Sequence, residues 1–302
     1  MDEKEIGLRG MKKFLDELEF AANLKEVDLI STHKEIESQQ SQNIFIMRHG
    51  ERVDFVFGDW VSCCFDEKGE YLQKDLNLPA SLPNRHLGPQ SYTLDTPITN
   101  VGKFQAKSMG KNFKAKNIAI DHVYCSPAFR CLQTCDAFLK GIGRKETVKI
   151  RIEPALFEWV HWIGDFPKLM SANELIAAGF NIDTEYKSFM SEQELRDNEE
   201  SMEQHYERSY AFMKKIIATH PSGNCLLVGH ATTLDTCSRN LLNGKWLTTN
   251  ELLTLAGHIS YCSLVQLTRN KDNNWKLVTP PCPSMSYGNN KQFKWKVLLD
   301  KY

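Results

Sequence analysis

IFIMRHGER, residues 44–52, joins an apolar run that predicts a β-strand to a histidine between two arginines. The guanidinium groups of Arg48 and Arg52 suit a phosphate dianion, which they can bind bidentately without titrating. A neutral His49 imidazole can attack phosphorus and become a phosphohistidine. Gly50 lets the backbone approach a bound group closely. Because so short a motif recurs by chance, and a strand-end histidine is more often structural, the stretch needs support from elsewhere in the chain.

A second predicted strand leads into a helix with an arginine near its start. Residues 121–125 form a short strand, and Pro127 suits the first turn of a helix over residues 128–140. Arg130 then lies in the first helical turn, where its charge and the free N–H groups of the helix could face the same anion. An arginine that only covers the helix end is the ordinary alternative.

A third strand end carries a histidine. Residues 224–229 form an apolar strand, and His230 follows it directly before a polar turn and a helix. A capping or core histidine would have the same sequence context. Ligands of open α/β sheets bind outside the carboxyl ends of the strands. The three strand ends therefore predict one crevice that contains His49, Arg130 and His230.

Seven stretches carry a resemblance to a known family. In chain order they are 48–57 (RHGERVDFVF), 75–83 (DLNLPASLP), 95–99 (DTPIT), 126–134 (SPAFRCLQT), 152–159 (IEPALFEW), 180–186 (FNIDTEY) and 228–237 (VGHATTLDTC). With them the chain resembles the histidine phosphatase (phosphoglycerate mutase-like) superfamily. Within it, the chain is similar to the phosphatase domains of ubiquitin-associated and Src-homology-3 domain-containing proteins and of ecdysteroid-phosphate phosphatases. The resemblance implies a three-layer α/β/α fold with a mostly parallel central sheet and a long insertion after the first strand.

The resemblance also implies roles for individual residues. His49 matches the nucleophile that becomes phosphorylated, and His230 matches the second histidine of the same pocket. The arginines that clamp the phosphate are matched by Arg48, Arg52 and Arg130.

Glu158 matches the proton donor of the family. Its neighbours Phe157 and Trp159 predict a partly desolvated carboxyl with a raised pKa, which could hold a proton near neutral pH. Glu153 is the competing candidate for this role.

These residues predict a phosphatase that uses neither a metal ion nor another cofactor. Phosphoryl transfer needs neutralisation of the equatorial oxygens, which the arginines and His230 could provide. The same positive charges should lower the pKa of His49 and keep it neutral. We expect His49 to attack phosphorus while Glu158 protonates the leaving group and then activates water. The expected substrate is a phosphotyrosine protein or a bulky steroid-type phosphate.

Three other functions are compared with this one. A phosphoglycerate-type mutase needs a compact cationic pocket, and the 53–99 region adds no basic cluster beyond Arg85. A catalytically silent phospholigand-binding scaffold is disfavoured because every matched residue is retained. A cysteine-based phosphatase needs five residues between its cysteine and arginine. Cys125 and Arg130 have four between them, and Pro127 removes an N–H donor.

The composition is compatible with a phosphatase that acts on small molecules or on proteins. The 302 residues include 37 basic and 38 acidic ones, so bulk charge does not favour nucleic acid or a membrane surface. We find no apolar run of transmembrane length, and residues 1–4 (MDEK) are not typical of a signal peptide. Nine scattered cysteines favour reduced thiols and a cytoplasmic protein.

The chain is expected to have two parts. Residues 1–42 form a charged extension, with helical spacing over 6–24 and a linker over 31–42, and residues 43–302 form the phosphatase domain. Nothing in this extension matches a ubiquitin-associated or Src-homology-3 module. The resemblance also implies a homodimer, to which the tail 293–299 could contribute.

Two long regions, 53–99 and 159–203, are expected to wall the pocket. Most of their aromatic residues should be core, and a few that face the cleft would favour a flat aromatic or sterol substrate. The acidic run 192–203 is expected to be a solvated helix face. The remaining predicted elements are helices over 99–116 and 206–219 and a strand over 276–278.

Overall fold

The structure is a computed structural model that describes residues 41–197, 199–270, 272–283, 285 and 298. In these residues six strands form one sheet in the order β3-β2-β4-β1-β5-β6. The strands are β1 Gln42–Arg48, β2 His122–Cys125, β3 Ile150–Ile152, β4 Gly223–Gly229, β5 Leu264–Arg269 and β6 Trp275–Val278. Strands β1 to β4 are parallel to one another. Strand β5 pairs antiparallel with β1, and β6 pairs antiparallel with β5. The expected mostly parallel sheet is confirmed.

Strand β1 lies inside the sheet and is buried on both faces. Ile44 and Ile46 pack into one apolar core, whereas Phe45 and Met47 pack into the other. None of the four is more than 2% exposed. A strand covered on both sides has no polar face, which explains the continuous apolar run IFIM.

Helices cover both faces of the sheet and complete three layers. The helices are α1 Val53–Phe57, α2 Trp60–Cys64, α3 Asn100–Ala115, α4 Phe129–Ile142, α5 Val160–Ile163, α6 Ala172–Ala177, α7 Glu192–Arg196, α8 Met202–Thr219, α9 Thr233–Thr236 and α10 Thr249–His258. Short 3-10 turns are Pro89–Tyr92, Pro154–Leu156 and Asn240–Leu242. Helices α3 and α4 contribute to the core on the Phe45 side, and α8, α9 and α10 to the core on the Ile44 side. The predicted α/β/α architecture is confirmed.

Helices α3 and α4 begin within one residue of the predicted positions, whereas α8 begins earlier than predicted. Thr99 caps α3, and its Oγ1 accepts a hydrogen bond from Gly102 N at 2.9 Å. Helix α4 begins at Phe129, one residue after the predicted start. Helix α8 begins at Met202 rather than 206, because Ser201 and Gln204 form a capping box that stabilises an extra turn.

Helices α3 and α4 approach each other at two glycines. A Cβ atom on Gly110 would lie 2.1 Å from the Phe138 carbonyl oxygen, and one on Gly141 would lie 2.1 Å from the Lys107 carbonyl oxygen. Only glycine permits such close backbones. The contact holds α4 against α3, and it therefore helps to place the first turn of α4 relative to the sheet.

The region 53–99 is a packed unit rather than an open loop. The rings of Trp60 and Phe65 lie 5.9 Å from Tyr92, as expected for core aromatics. Arg85 pairs with Asp95 at 2.8 Å, and both side chains are buried. The other oxygen of Asp95 accepts a hydrogen bond from the N–H at the start of α4 at 2.7 Å. The insertion thus caps the helix that carries Arg130.

The expectation of a solvated face over residues 192–203 is wrong at Glu200. Its side chain is fully buried, and Oε1 lies 2.6 Å from Nε of Arg208. A sequence window cannot reveal this, because the partner lies two helical turns into α8 and the pair closes only when α8 packs on the sheet. Glu192 pairs with Arg196 on the surface, as expected.

Gln42, the last residue of the predicted extension, is the first residue of β1 and pairs with Gly223 in the sheet. The predicted helix over 6–24 and most of the tail 293–299 lie outside the described residues. Within the part of the chain that is described, no helix has the length and apolar character needed to cross a membrane.

Candidate active site

The in-register pairing of β1 with β4 brings two predicted site residues together. Arg48 lies opposite Gly229, and the His49 N–H donates to the Gly229 carbonyl at 2.9 Å. The imidazole rings of His49 and His230 therefore meet edge to face, with centroids 5.5 Å apart. Arg130 comes from the start of α4 and reaches the same point, as the strand-end argument predicts.

His49 is 1% exposed, and its hydrogen bonds define its tautomer. Nδ1 lies 2.9 Å from the carbonyl oxygen of Gly50, which can only accept. Nδ1 therefore carries the proton, and Nε2 of the neutral ring has the free lone pair. Burial and then the positive charges of Arg130, Arg48 and Arg52 hold the pKa of His49 well below its usual range. The expectation of a neutral His49 agrees with this direction.

His230 is fully buried and has the opposite tautomer. Nη2 of Arg130 donates to its Nδ1 at 3.1 Å, so Nδ1 has the lone pair. Nε2 then donates to Ser126 Oγ at 2.9 Å. Burial, followed by the charges of Arg130 and His49, holds the pKa of His230 well below its usual range.

Arg130 is the centre of the polar contacts. Besides His230, its Nη2 donates to Oε2 of Glu158 at 2.9 Å, and the side chain is only 2% exposed. Its buried Nε has no hydrogen-bond partner in the described structure, and the same is true of Nε of Arg48. Buried donors are rarely left unpaired. Two such guanidinium donors in one site indicate a place for an anion.

The other two arginines are held by aromatic rings. Arg48 donates to the carbonyl of Ile259, and its guanidinium lies 4.5 Å over the ring of Tyr261. Arg52 forms a bidentate pair with Asp54 at 2.9 and 2.6 Å and lies 4.5 Å over the ring of Phe55. These contacts orient the guanidinium groups before any ligand is bound.

Glu158 lies at the site, but its surroundings differ from those expected. Phe157 and Trp159 pack into opposite cores, so they do not enclose the carboxyl. The carboxyl instead lies 2.9 Å from Arg130 and 3.6 Å from Nδ1 of His230. The setting of the carboxyl is therefore ionic rather than apolar.

Glu153 is committed to the backbone and does not reach the site. Its oxygens accept hydrogen bonds from Ala155 N at 2.9 Å and Phe189 N at 2.7 Å, and also from the Tyr186 hydroxyl. Burial raises the pKa of Glu153, against the opposing effect of these donors. Glu153 and Glu158 are therefore separated by position, because only Glu158 contacts Arg130.

Two supporting contacts were missed at the sequence level. Thr134 Oγ1 accepts from Gly50 N at 2.8 Å and donates to the Arg130 carbonyl at 2.7 Å, so it ties the His49 loop to α4. Thr134 belongs to the motif SPAFRCLQT, one helical turn after Arg130, and that spacing is the signal that could have identified it.

The second missed contact fixes the segment that carries Glu158. Arg208 donates to the carbonyls of Ala155 at 2.9 Å and Phe157 at 3.0 Å, and the buried carboxylate of Glu200 neutralises it. No local motif signals this arrangement. These hydrogen bonds fix the backbone of the residues that immediately precede Glu158.

The cysteine-based alternative is not supported by the structure. Cys125 is fully buried, and burial raises the pKa of its thiol well above the usual range, which disfavours a nucleophilic thiolate. All nine cysteines are free thiols, as expected. Among the residues described, no group of three or more histidines, cysteines or carboxylates is arranged to hold a metal ion.

The family profile of the histidine phosphatase superfamily (branch 1) matches residues 80–280. The chain belongs to this superfamily. The matched range includes Arg130, Glu158 and His230, whereas the Arg48–Arg52 motif precedes it. The resemblance inferred from the seven stretches is confirmed.

Named relatives match most of this chain. Ecdysteroid-phosphate phosphatase of Drosophila melanogaster is 44% identical over 261 residues, which are 86% of this chain and 34% of the relative. Ubiquitin-associated and SH3 domain-containing protein B of Homo sapiens is 37% identical over 268 residues, which are 86% of this chain and 41% of the relative. The chain thus spans between a third and about two fifths of the length of these curated relatives.

A solved structure has the same fold. The crystal structure of the ecdysone phosphate phosphatase from Bombyx mori, in complex with tungstate, superimposes with a TM-score of 0.74 at 35% identity. The match covers 85% of this chain and 99% of that chain.

We predict that His49 stays neutral, with its proton on Nδ1, when the pH is lowered from 7 to 6. Its pKa is held below the ordinary value of about 6.5, so the folded protein should not protonate it there. Nitrogen-15 NMR of the imidazole measures both the charge and the tautomer. In urea-unfolded protein the same histidine should titrate near 6.5. Titration of His49 near 6.5 in the folded protein would contradict the prediction.

Proposed function

We propose that the protein is a phosphomonoesterase that forms a phosphohistidine on Nε2 of His49 and needs neither a metal ion nor another cofactor. The observation that carries the proposal is the neutral His49 beside three arginines, two of which, Arg48 and Arg130, have buried Nε donors without a partner. A phosphate dianion satisfies both the charge and these donors. Family membership supports the same chemistry.

The first step transfers the phosphoryl group to the enzyme. The arginines hold the equatorial oxygens, and Nε2 of His49 attacks phosphorus as the bond from phosphorus to the ester oxygen breaks. Glu158, which pairs with Arg130 in the unbound site, takes up one proton as the substrate binds and gives it to the departing oxygen. When Arg130 binds the phosphate, it shares its positive charge between the dianion and Glu158.

The second step restores the enzyme. Glu158, now a carboxylate, takes a proton from water, and the water oxygen attacks the phosphorus of the phosphohistidine. The bond from Nε2 to phosphorus breaks, and inorganic phosphate leaves. His230 remains a neutral group that orients Arg130, since its Nδ1 accepts the Arg130 hydrogen bond.

We further propose that the substrate carries a flat ring next to its phosphate ester, as phosphotyrosine proteins and steroid-type phosphates do. Phe55 is 69% exposed and stacks on Arg52, so it offers an aromatic surface at the edge of the phosphate site. The ring of Tyr261 lies 5.8 Å from His49. The relatives include two ecdysteroid-phosphate phosphatases, whose name agrees with such a substrate.

The alternatives have less support. Arg85, the cation available for a mutase pocket, is buried against Asp95. A silent scaffold would not need Glu158 beside Arg130. The nine free thiols favour the proposed cytoplasmic location, and a homodimer stays a prediction from the resemblance.

We predict that His49→Asn lowers turnover of para-nitrophenyl phosphate by at least about a thousandfold, because the nucleophile is lost. The wild-type protein, quenched at alkaline pH during turnover in the presence of a chelator, should carry a phosphoryl adduct on His49 in mass spectrometry. His86→Asn, an exposed histidine of the 53–99 region, serves as the control and should keep full activity. Full turnover by His49→Asn would refute the proposed mechanism.

We predict that the effect of Glu158→Gln depends on the leaving group. Phenol needs a proton when it departs, so phosphoryl transfer from phenyl phosphate should slow by about 10²- to 10⁴-fold. Para-nitrophenolate is a much better leaving group, so a rapid burst of it should remain before slow hydrolysis of the phosphoenzyme. Rapid-mixing kinetics separate the two steps. Equal slowing of the first step for both substrates would exclude Glu158 as the proton donor.

We predict that Phe55→Ala raises KM for phenyl phosphate about two- to tenfold, as expected for the loss of one aromatic contact. KM for a small alkyl phosphate should change little, because it lacks the ring. Leu72→Ala removes another exposed apolar side chain from the same region and is the control. A similar rise for both substrates would mean that Phe55 acts only through Arg52.

A further inference from the structure

A cavity of about 480 Å³ lies between the α3–α4 helix pair and the two long regions. None of the six candidate site residues lines it. Its size falls in the range of about 300–1,000 Å³ that is usual for small-molecule sites. Parts of both long regions, residues 81–83 and residues 178 and 180, form part of its lining. The segments expected at the phosphate mouth thus also form a separate concave site.

Positive charge collects in this cavity. Lys103 and Lys107 of α3 and Lys140 of α4 line it, together with a single carboxylate, Asp136. Asp136 already pairs with Lys140 at 2.7 Å and with Lys145 at 3.4 Å. In the described structure no carboxylate lies within ion-pairing distance of Lys103 or Lys107. Burial, followed by the charge of Lys140, lowers the pKa of Lys103.

The remaining wall is largely apolar. Phe104, Phe129 and Phe180 line it, with Leu82 and Pro83 of the insertion. Small-molecule sites commonly combine aromatic walls with a few charged groups that orient the ligand. The cavity therefore offers lysine ammonium groups to an anionic group and an apolar wall to a carbon skeleton.

Helix α4 separates this cavity from the phosphate site. Phe129 lines the cavity, whereas Arg130, the next residue, contacts Glu158 and His230. Consecutive helical residues point about 100° apart, so the two side chains serve different sites. A ligand here would not occupy the place of the substrate phosphate.

We propose that this cavity binds a small organic anion, with its carboxylate or sulfonate at Lys103 and Lys107 and its aromatic or aliphatic body against the three phenylalanines. The three ammonium groups and one carboxylate leave an excess of two positive charges, which a monoanion or dianion can neutralise. The proposal does not depend on the phosphatase mechanism.

The test is a fluorescence titration of the full chain with 1-anilinonaphthalene-8-sulfonate, an aromatic sulfonate. We expect one saturable site whose Kd is unchanged by saturating inorganic phosphate and by His49→Asn. The double variant Lys103→Gln/Lys107→Gln should weaken binding at least about tenfold through loss of the charged contacts. Lys114→Gln/Lys116→Gln, at the end of α3 and outside the cavity, is the matched control and should bind normally.

A second variant fills the cavity without removing charge. Ala178 is exposed at its edge, and Ala178→Trp should abolish probe binding while circular dichroism and turnover stay as in the wild type. Displacement of the probe by phosphate, equal weakening in the lysine control, or normal binding by Ala178→Trp would each overturn the proposal. Because the readout is binding, failure of the phosphatase mechanism would leave these results interpretable.

Discussion

The candidate site depends on the parallel, in-register contact between β1 and β4. With Arg48 opposite Gly229, the residues that follow the two strands, His49 and His230, must leave the sheet side by side. The hydrogen bond from His49 N to the Gly229 carbonyl fixes the register of the two strands at this point. A shift of one residue would turn each side chain to the other face of the sheet and separate the two histidines. The remaining parts of the site are arranged around this pair.

Placing three arginines beside two buried histidines creates a concentration of positive charge that the protein compensates with specific contacts. Asp54 pairs with Arg52, Glu158 pairs with Arg130, and the ring of Tyr261 lies under Arg48. The histidines respond by staying neutral, since burial and the nearby cations both disfavour a proton. One electrostatic arrangement thus keeps a nucleophile unprotonated and prepares donors for an anion.

Two buried ion pairs support the site from behind. Arg85 and Asp95 connect the insertion to the start of α4 and so to Arg130. Glu200 and Arg208 hold the carbonyls of the segment that leads to Glu158. Loss of one partner in a pair of this kind leaves an uncompensated buried charge, which typically costs about 3–5 kcal/mol. A change that breaks either pair should therefore destabilise the domain and also displace Arg130 or Glu158.

The sequence by itself determined four of the six strands, β1, β2, β4 and β6, together with the starts of α3 and α4 and the residue types at the strand ends, because periodicity, capping and motif order are local properties. It could not decide between Glu153 and Glu158 on physical grounds, nor show that Phe157 and Trp159 turn away from the carboxyl between them. It also gave no sign that Glu200 and Arg85 are buried. These outcomes were decided by the tertiary structure, because they depend on which side chains from distant parts of the chain meet, and on the direction in which each one points. The tautomers of His49 and His230 belong to the same class, since a proton takes its position from partners that only the folded chain supplies.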